Sequence, residues 1–184
     1  MRKVLLIGSG GAGKSALAKA LAARTGLPLI HLDAVFWRPG WQETPKAEWV
    51  ATVARLAQEP RWIMDGNYGG TLPLRLAACD TVVLLDLPAW LCLWRVIKRR
   101  LRHRGRPRPD MADGCPEKLE ASYLWWVATY RSRRLPRVLE QLKAAERAGK
   151  AVVVLRTPSA VARFLSEAPT HDPSPGSRRL QDPV

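Results

Sequence analysis

Residues 8–15 read Gly8-Ser9-Gly10-Gly11-Ala12-Gly13-Lys14-Ser15 and match the phosphate-binding pattern G-x-x-x-x-G-K-[ST] at every fixed position. The surroundings suit the motif. Val4-Leu5-Leu6-Ile7 before it is an apolar run of strand type, and Leu17 and Leu21 after it share one face of a helix that Gly26 stops. Glycines let the backbone curl until its N–H groups point at phosphate oxygens, and the positive end of the helix dipole adds to that field. Lys14 can then reach the β- and γ-phosphates, and the Ser15 hydroxyl can ligate Mg²⁺. The plain alternative is a glycine turn that only joins strand to helix. Strand, loop, Lys-Ser and helix agree with one another, which favours a nucleoside triphosphate with magnesium as the ligand.

A chain of 184 residues with 47% hydrophobic content suits one domain with a substantial core. No apolar run reaches the roughly 18 residues of a membrane span. The first strand is expected to begin within four residues of Met1, so no signal peptide is expected. Cys79, Cys92 and Cys115 are odd in number and widely spaced, so free thiols in a reducing cytoplasm are expected, and no zinc pattern. The net charge of +14 is concentrated: Arg95, Lys98, Arg99, Arg100, Arg102, Arg104, Arg106 and Arg108 follow one another with no acidic residue between Asp86 and Asp110. Such a segment calls for several phosphates or a nucleic acid nearby, unless it is only a solvated basic face.

Strand and helix patterns alternate, which argues for a parallel sheet covered on both faces. Strands are expected at 3–7, 29–32, 62–64, 81–85 and 151–155. Helices are expected at about 14–25, 46–58, 89–103, 116–148 and 159–166, with a short one near 71–78. In helix 89–103, Trp90, Trp94, Ile97 and Leu101 recur at helical spacing and are expected to pack inward, with Arg95, Arg99 and Arg102 on another face. Leu119, Tyr123, Trp126 and Tyr130 repeat the spacing in the next helix, which Pro136 should kink or break. Trp62, Trp125 and Trp126 also read as core. Trp37 and Trp41 flank Pro39-Gly40 and suit either packing or stacking on a substrate base. Residues 104–115 form a Pro- and Gly-rich loop, and a disordered tail is expected over 168–184.

In an open parallel sheet, ligands sit beyond the carboxyl ends of the strands. Three expected strands end at aspartates: Asp33, Asp65 and Asp86. One carboxylate could hold Mg²⁺ or its waters, and another could orient or deprotonate an acceptor hydroxyl. Each also has a reading as a cap or turn residue. Both Asp65 and Asp86 follow apolar runs, so spacing does not choose the metal-supporting one. Asn67 and Tyr68 follow Asp65 closely and are candidates for the acceptor site. His31, His103 and His171 have no partners at metal-ligand spacing.

Together these motifs are similar to a family. The chain resembles the adenylate-kinase-like P-loop proteins of the DNA topology modulation family over about residues 1–167. The resemblance rests on residues 8–15, His31-Leu32-Asp33, Trp37 with Pro39-Gly40-Trp41, and Trp62 through Tyr68. It continues through Asp80 to Pro88, Arg95 to Arg100, Arg108-Pro109-Asp110-Met111, and Gly114-Cys115-Pro116-Glu117. It implies a P-loop NTPase three-layer α/β sandwich, with a five-stranded parallel sheet of nucleoside monophosphate kinase type and a lid at about 99–115. It further implies that Asp65 supports Mg²⁺ and Asp33 faces the acceptor. Arg99 or Arg100, with Arg106 and Arg108, would close over ATP, and the Arg156-Thr157-Pro158 loop would lie near the adenine. One departure matters. Adenylate kinases follow the Asp-Gly strand end closely with an arginine that grips the monophosphate; here Asn67-Tyr68 takes that place and the next arginine is Arg75. The expected function is phosphoryl transfer from ATP to a small acceptor, a nucleotide or nucleoside. The alternative is a nucleotide-regulated protein that binds DNA without kinase turnover.

Overall fold

The computed structural model describes residues 1–102, 111–112, 114–115 and 120–171. Val4, Leu5, Leu6 and Ile7 are almost wholly inaccessible, because the strand they form, β1 (Lys3–Gly8), lies at the centre of a sheet covered on both sides. The chain then runs through α1 (Lys14–Thr25), β2 (Leu29–His31), α2 (Leu32–Phe36), β3 (Trp37–Arg38), β4 (Gln42–Glu43), α3 (Lys46–Gln58) and β5 (Trp62–Asp65). A 3₁₀ turn, Gly69–Thr71, leads into α4 (Leu72–Ala78), β6 (Thr81–Leu85) and α5 (Ala89–Arg102). The remaining elements are α6 (Ala121–Arg133), α7 (Leu135–Arg147), β7 (Ala151–Leu155) and α8 (Pro158–Glu167). The main sheet has the five parallel strands expected, in the order β2-β5-β1-β6-β7. β3 and β4 form a separate antiparallel hairpin.

Period two sorts the strand residues onto two cores. Val4, Leu6, Ile63, Val83 and Leu85 pack with Leu17, Ala18 and Leu21 of α1, with Cys92 and Val96 of α5, and with α8. Leu5, Ile7, Trp62, Met64, Val82 and Leu84 face α3, α4 and α7. Helix α6 serves both, with Val127 in the first core and Tyr130 in the second. Fully burying one such aliphatic side chain contributes about 1.5–3 kcal/mol. Gly26 ends α1 in the left-handed conformation and donates its N–H to the Ala22 carbonyl, as a C-terminal glycine should.

Several expectations need correction. The stripe Trp90, Trp94, Ile97 and Leu101 faces solvent, with Trp90 and Leu101 70% and 72% exposed. Helix α5 carries two apolar stripes, and the one that packs holds Cys92 and Val96. The reason is close approach: a Cβ on Gly11 would collide with the Cys92 carbonyl and touch Val96. A tryptophan stripe has no room there. Trp125 is also exposed, whereas Trp62 is fully buried. The strand expected at 29–32 stops at His31, and α2 and the β3–β4 hairpin were not foreseen. The long helix breaks at Arg134, with Pro136 in the first turn of α7. Residues 168–171 are held rather than loose: Ala168 is buried, its carbonyl accepts from Arg24 Nε at 2.5 Å, and the His171 N–H donates to the Arg24 carbonyl at 2.7 Å. The rest of the expected tail, 172–184, lies outside the described residues.

Asp80 fastens the start of β1. Its Oδ2 accepts from the backbone N–H groups of Arg2 and Lys3 at 2.7 and 2.8 Å, and Oδ1 accepts from the Thr81 hydroxyl at 2.6 Å. Burial pushes the carboxyl pKa up. The bonds from Thr81, Lys3 and Arg2, with the N-terminal charge, outweigh it and leave the pKa lowered. A carboxyl depressed in the folded state contributes stability above its unfolded pKa of about 3.9 and loses it as pH falls through the folded value. Asp80→Ala is expected to cost about 1–3 kcal/mol in urea unfolding at pH 7. The gap to the parent should close at pH values below the depressed pKa; an equal gap at low pH would count against this role.

Candidate active site

The glycine-rich loop of residues 8–15 spans the end of β1 and the start of α1. Gly11, at φ +75°, lies against the Cys92 carbonyl, where only a residue without Cβ fits. Two side chains brace this loop from outside it. The Asn67 amide pairs twice with Gly8, donating from Nδ2 to its carbonyl at 2.7 Å and accepting its N–H on Oδ1 at 3.0 Å. Arg95 donates to the Ala12 carbonyl at 3.2 Å. Lys14 Nζ donates to the carbonyls of Gly8 and Ser9, both at 3.0 Å. Ser15 lies in the first turn of α1, half-buried.

Strand alternation separates the two aspartates that spacing left equivalent. Asp65 follows Ile63 by two and lies on the α1 face; Asp86 follows Leu84 by two and lies on the opposite face. Asp86 is ion-paired there: Arg131 Nε approaches Oδ1 at 2.9 Å and Arg156 Nε approaches Oδ2 at 3.5 Å. Asp65 is buried, and its Oδ2 lies 3.1 Å from Nδ1 of His31, its cross-strand neighbour. Its Oδ1 is buried without a hydrogen-bond partner among the described residues. A carboxylate oxygen left over in the interior, on the face of Ser15's helix, fits the support of a hard cation such as Mg²⁺.

Asp33 lies in the first turn of α2 rather than at a strand end. Its Oδ1 accepts the Tyr68 hydroxyl at 2.6 Å. Burial, and then the charge and hydrogen bond of Asp33, push the tyrosine pKa far above its ordinary value, so it remains a donor. A cleft of about 520 Å³ runs between the two ends: Gly10 and Lys14 border it on one side, Asp33, Tyr68, Trp37 and Trp41 on another. Arg99 of α5 also lines the cleft, as do Met111, Glu120, Tyr123 and Trp126. The hairpin meets Gly114 and Cys115: Gly40 N–H donates to the Gly114 carbonyl at 3.1 Å, and Cys115 Sγ to the Arg38 carbonyl at 3.2 Å. Arg106 and Arg108 lie outside the described residues. Thr157 caps α8, its hydroxyl accepting the Ala160 N–H at 3.1 Å.

Arg75 holds this site together and was not foreseen to do so. It is fully buried. Its guanidinium donates to the carbonyls of Gly66 at 2.8 Å, Tyr68 at 2.9 Å, and Asn67. Burial lowers its pKa to about 10, which leaves it charged at neutral pH. The loop it grips carries both Asn67 and Tyr68. His31 was also missed, because a lone histidine gives no local signal. Arg75→Met is expected to leave three carbonyls without donors and to cost about 3 kcal/mol in denaturant unfolding. A melting temperature equal to the parent's would remove Arg75 from this role.

No protein-family model matches the chain, and neither does any curated protein sequence. Among solved structures, a gluconokinase from Sinorhizobium meliloti 1021 superposes with a TM-score of 0.51 at 17% identity, over 91% of this chain and 89% of that one. An unliganded sugar kinase from Janibacter sp. HTCC2649 gives a TM-score of 0.47 at 19% identity, over 93% of this chain and 99% of that one. The first of these likenesses establishes a shared fold, an α/β sandwich whose five parallel strands are flanked by helices.

Proposed function

We propose that the chain transfers the γ-phosphoryl group of Mg-ATP to a hydroxyl of a small acceptor, a nucleotide or nucleoside. The observation that carries this reading is one cleft bordered by both the phosphate loop, through Gly10 and Lys14, and the hydrogen-bonded pair Asp33–Tyr68. Residues 8–15 would cradle the phosphates with backbone N–H groups, and Lys14 would exchange its contacts with Gly8 and Ser9 for β- and γ-phosphate oxygens. Ser15 and Asp65 would hold the magnesium, which when bound neutralises charge between those phosphates. Asp33, oriented by Tyr68, would take the acceptor's proton as its oxygen bonds to the γ-phosphorus. The bond from that phosphorus to the β,γ-bridging oxygen breaks, and its electron pair leaves with ADP. Arg99, with Arg106 and Arg108, would offset charge on the transferring group. The loop at Thr157 would border the adenine. The buried free thiols Cys79, Cys92 and Cys115 suit a reducing compartment. Membership in the adenylate-kinase-like DNA topology modulation family is part of this reading, supported by the motifs quoted above.

A second reading makes DNA the ligand. It is favoured by Lys98 over the exposed Trp94 ring at 4.8 Å and by Arg133 over exposed Trp125 at 5.5 Å, a basic and aromatic surface on neighbouring helices. Among the described residues, no helix is long and apolar enough to cross a membrane.

ADP release from Mg-ATP across a panel of hydroxyl acceptors separates the two readings. Lys14→Ala should abolish acceptor-dependent release with circular dichroism unchanged, and Asp33→Asn should lower kcat about 10²–10⁴-fold. An active Lys14→Ala variant would overturn the kinase reading. Affinity for single-stranded DNA that falls steeply with salt, and weakens in Trp94→Ala, would support the second.

A further inference from the structure

Position 10 holds a glycine for want of space rather than for backbone freedom. Gly8, Gly11 and Gly13 around it have positive φ, and Gly10 does not. A Cβ at position 10 would collide with the hydroxyl oxygen of Tyr123, and would lie 2.9 Å from its Cζ and 3.0 Å from Cγ2 of Val127. Helix α6 therefore sits directly on the glycine-rich loop, with the tip of Tyr123 at the point of closest approach. Its neighbours hold the ring there. Tyr123 stacks on Trp126 with centroids 5.8 Å apart and planes 14° from parallel, and Trp126 meets the buried Tyr130 edge-on at 5.4 Å. One turn along, Val127 is anchored in the core that also holds Leu17 and Leu21 of α1. A phenylalanine would stack on Trp126 equally well; the hydroxyl is the part that the loop meets.

Of residues 8–15, Gly10 and Lys14 line the cleft whose other end holds Asp33 and Tyr68, and Tyr123 lines it with them. A phosphoryl group bound for an acceptor beside Asp33 has to leave the loop at this cleft-facing edge. The outermost phosphate is then the one that comes next to Gly10, Lys14 and Tyr123, while the inner phosphates would lie with the N–H groups nearer the start of α1. We propose that the Tyr123 hydroxyl donates a hydrogen bond to the γ-phosphate of bound ATP, so that the site reads a triphosphate in preference to a diphosphate. The proposal rests on the phosphotransferase reading above and adds to it a further binding residue, carried on a different helix from the loop. A donor already held in place by its ring stack needs little reorganisation when the phosphate arrives.

The test measures, by titration calorimetry on the full chain, the affinities for Mg-ADP and for the magnesium complex of an ATP analogue whose β,γ-bridge is NH, so that no transfer occurs. Tyr123→Phe keeps the ring and its stacking and removes only the hydroxyl. It should weaken the triphosphate analogue about tenfold and leave ADP unchanged, since a hydrogen bond to a charged group is worth a factor of that order. ADP serves as the internal control, because a variant whose loop had lost its shape would weaken both ligands together. A triphosphate affinity that falls no further than that for ADP, no change in either included, overturns the proposal while the kinase reading stands. A parent protein that binds neither nucleotide removes the phosphotransferase reading itself, and the inference with it.

Discussion

The guanidinium of Arg75 is a buried cation whose hydrogen-bond partners are backbone carbonyls rather than a carboxylate. Removing a charge from water is expensive, and the expense is offset when its donors are met by well-placed dipoles. Here the dipoles are the carbonyls of residues 66–68, so the loop conformation and the burial of the charge require each other. Everything useful about that loop follows. Asn67 is presented to Gly8 at the base of the glycine-rich loop, and Tyr68 is presented to Asp33 across the cleft. One interior contact thereby sets the spacing between the two ends of the site.

The sheet supplies the second constraint. Parallel strands buried on both faces send successive side chains to opposite helices, so a residue's parity decides which chemistry it can join. Asp65 reaches the α1 side with one oxygen to spare, whereas Asp86 reaches the other side and is committed to Arg131 and Arg156. The same alternation places His31 against Asp65 from the neighbouring strand.

The central strands, α1 with its glycine stop and the break before Pro136 were legible because each is written in a short stretch of chain. Residues 29–32 misled at their end because Leu32 is apolar in either a strand or a helix; the structure makes it the first residue of α2. The inward face of α5 was misread because two apolar stripes satisfy the same period, and the choice between them is made by Gly11 eighty residues away. Asp65 and Asp86 looked alike because parity has meaning only once the position of α1 is known. The bracing role of Arg75 left no mark in the sequence, since its partners are carbonyls, which no residue type reveals. Asp33, Tyr68, Trp37 and Trp41 could be singled out in sequence, but their meeting in one cleft depends on α2 and the hairpin, both too short to show periodicity.

The solvent-facing stripe of α5 has a colloidal consequence. Its tryptophans and leucine are sticky toward other copies, yet every copy carries a net charge of +14. In dilute buffer, that repulsion acts over a Debye length of about 10 Å at 0.1 M salt and holds molecules apart before the stripes can meet. At molar salt the range shrinks to about 3 Å, comparable to a single water layer. The surface that neighbouring molecules then encounter is the apolar one, so the solubility of this protein is governed by ionic strength with a sign opposite to ordinary salting-in.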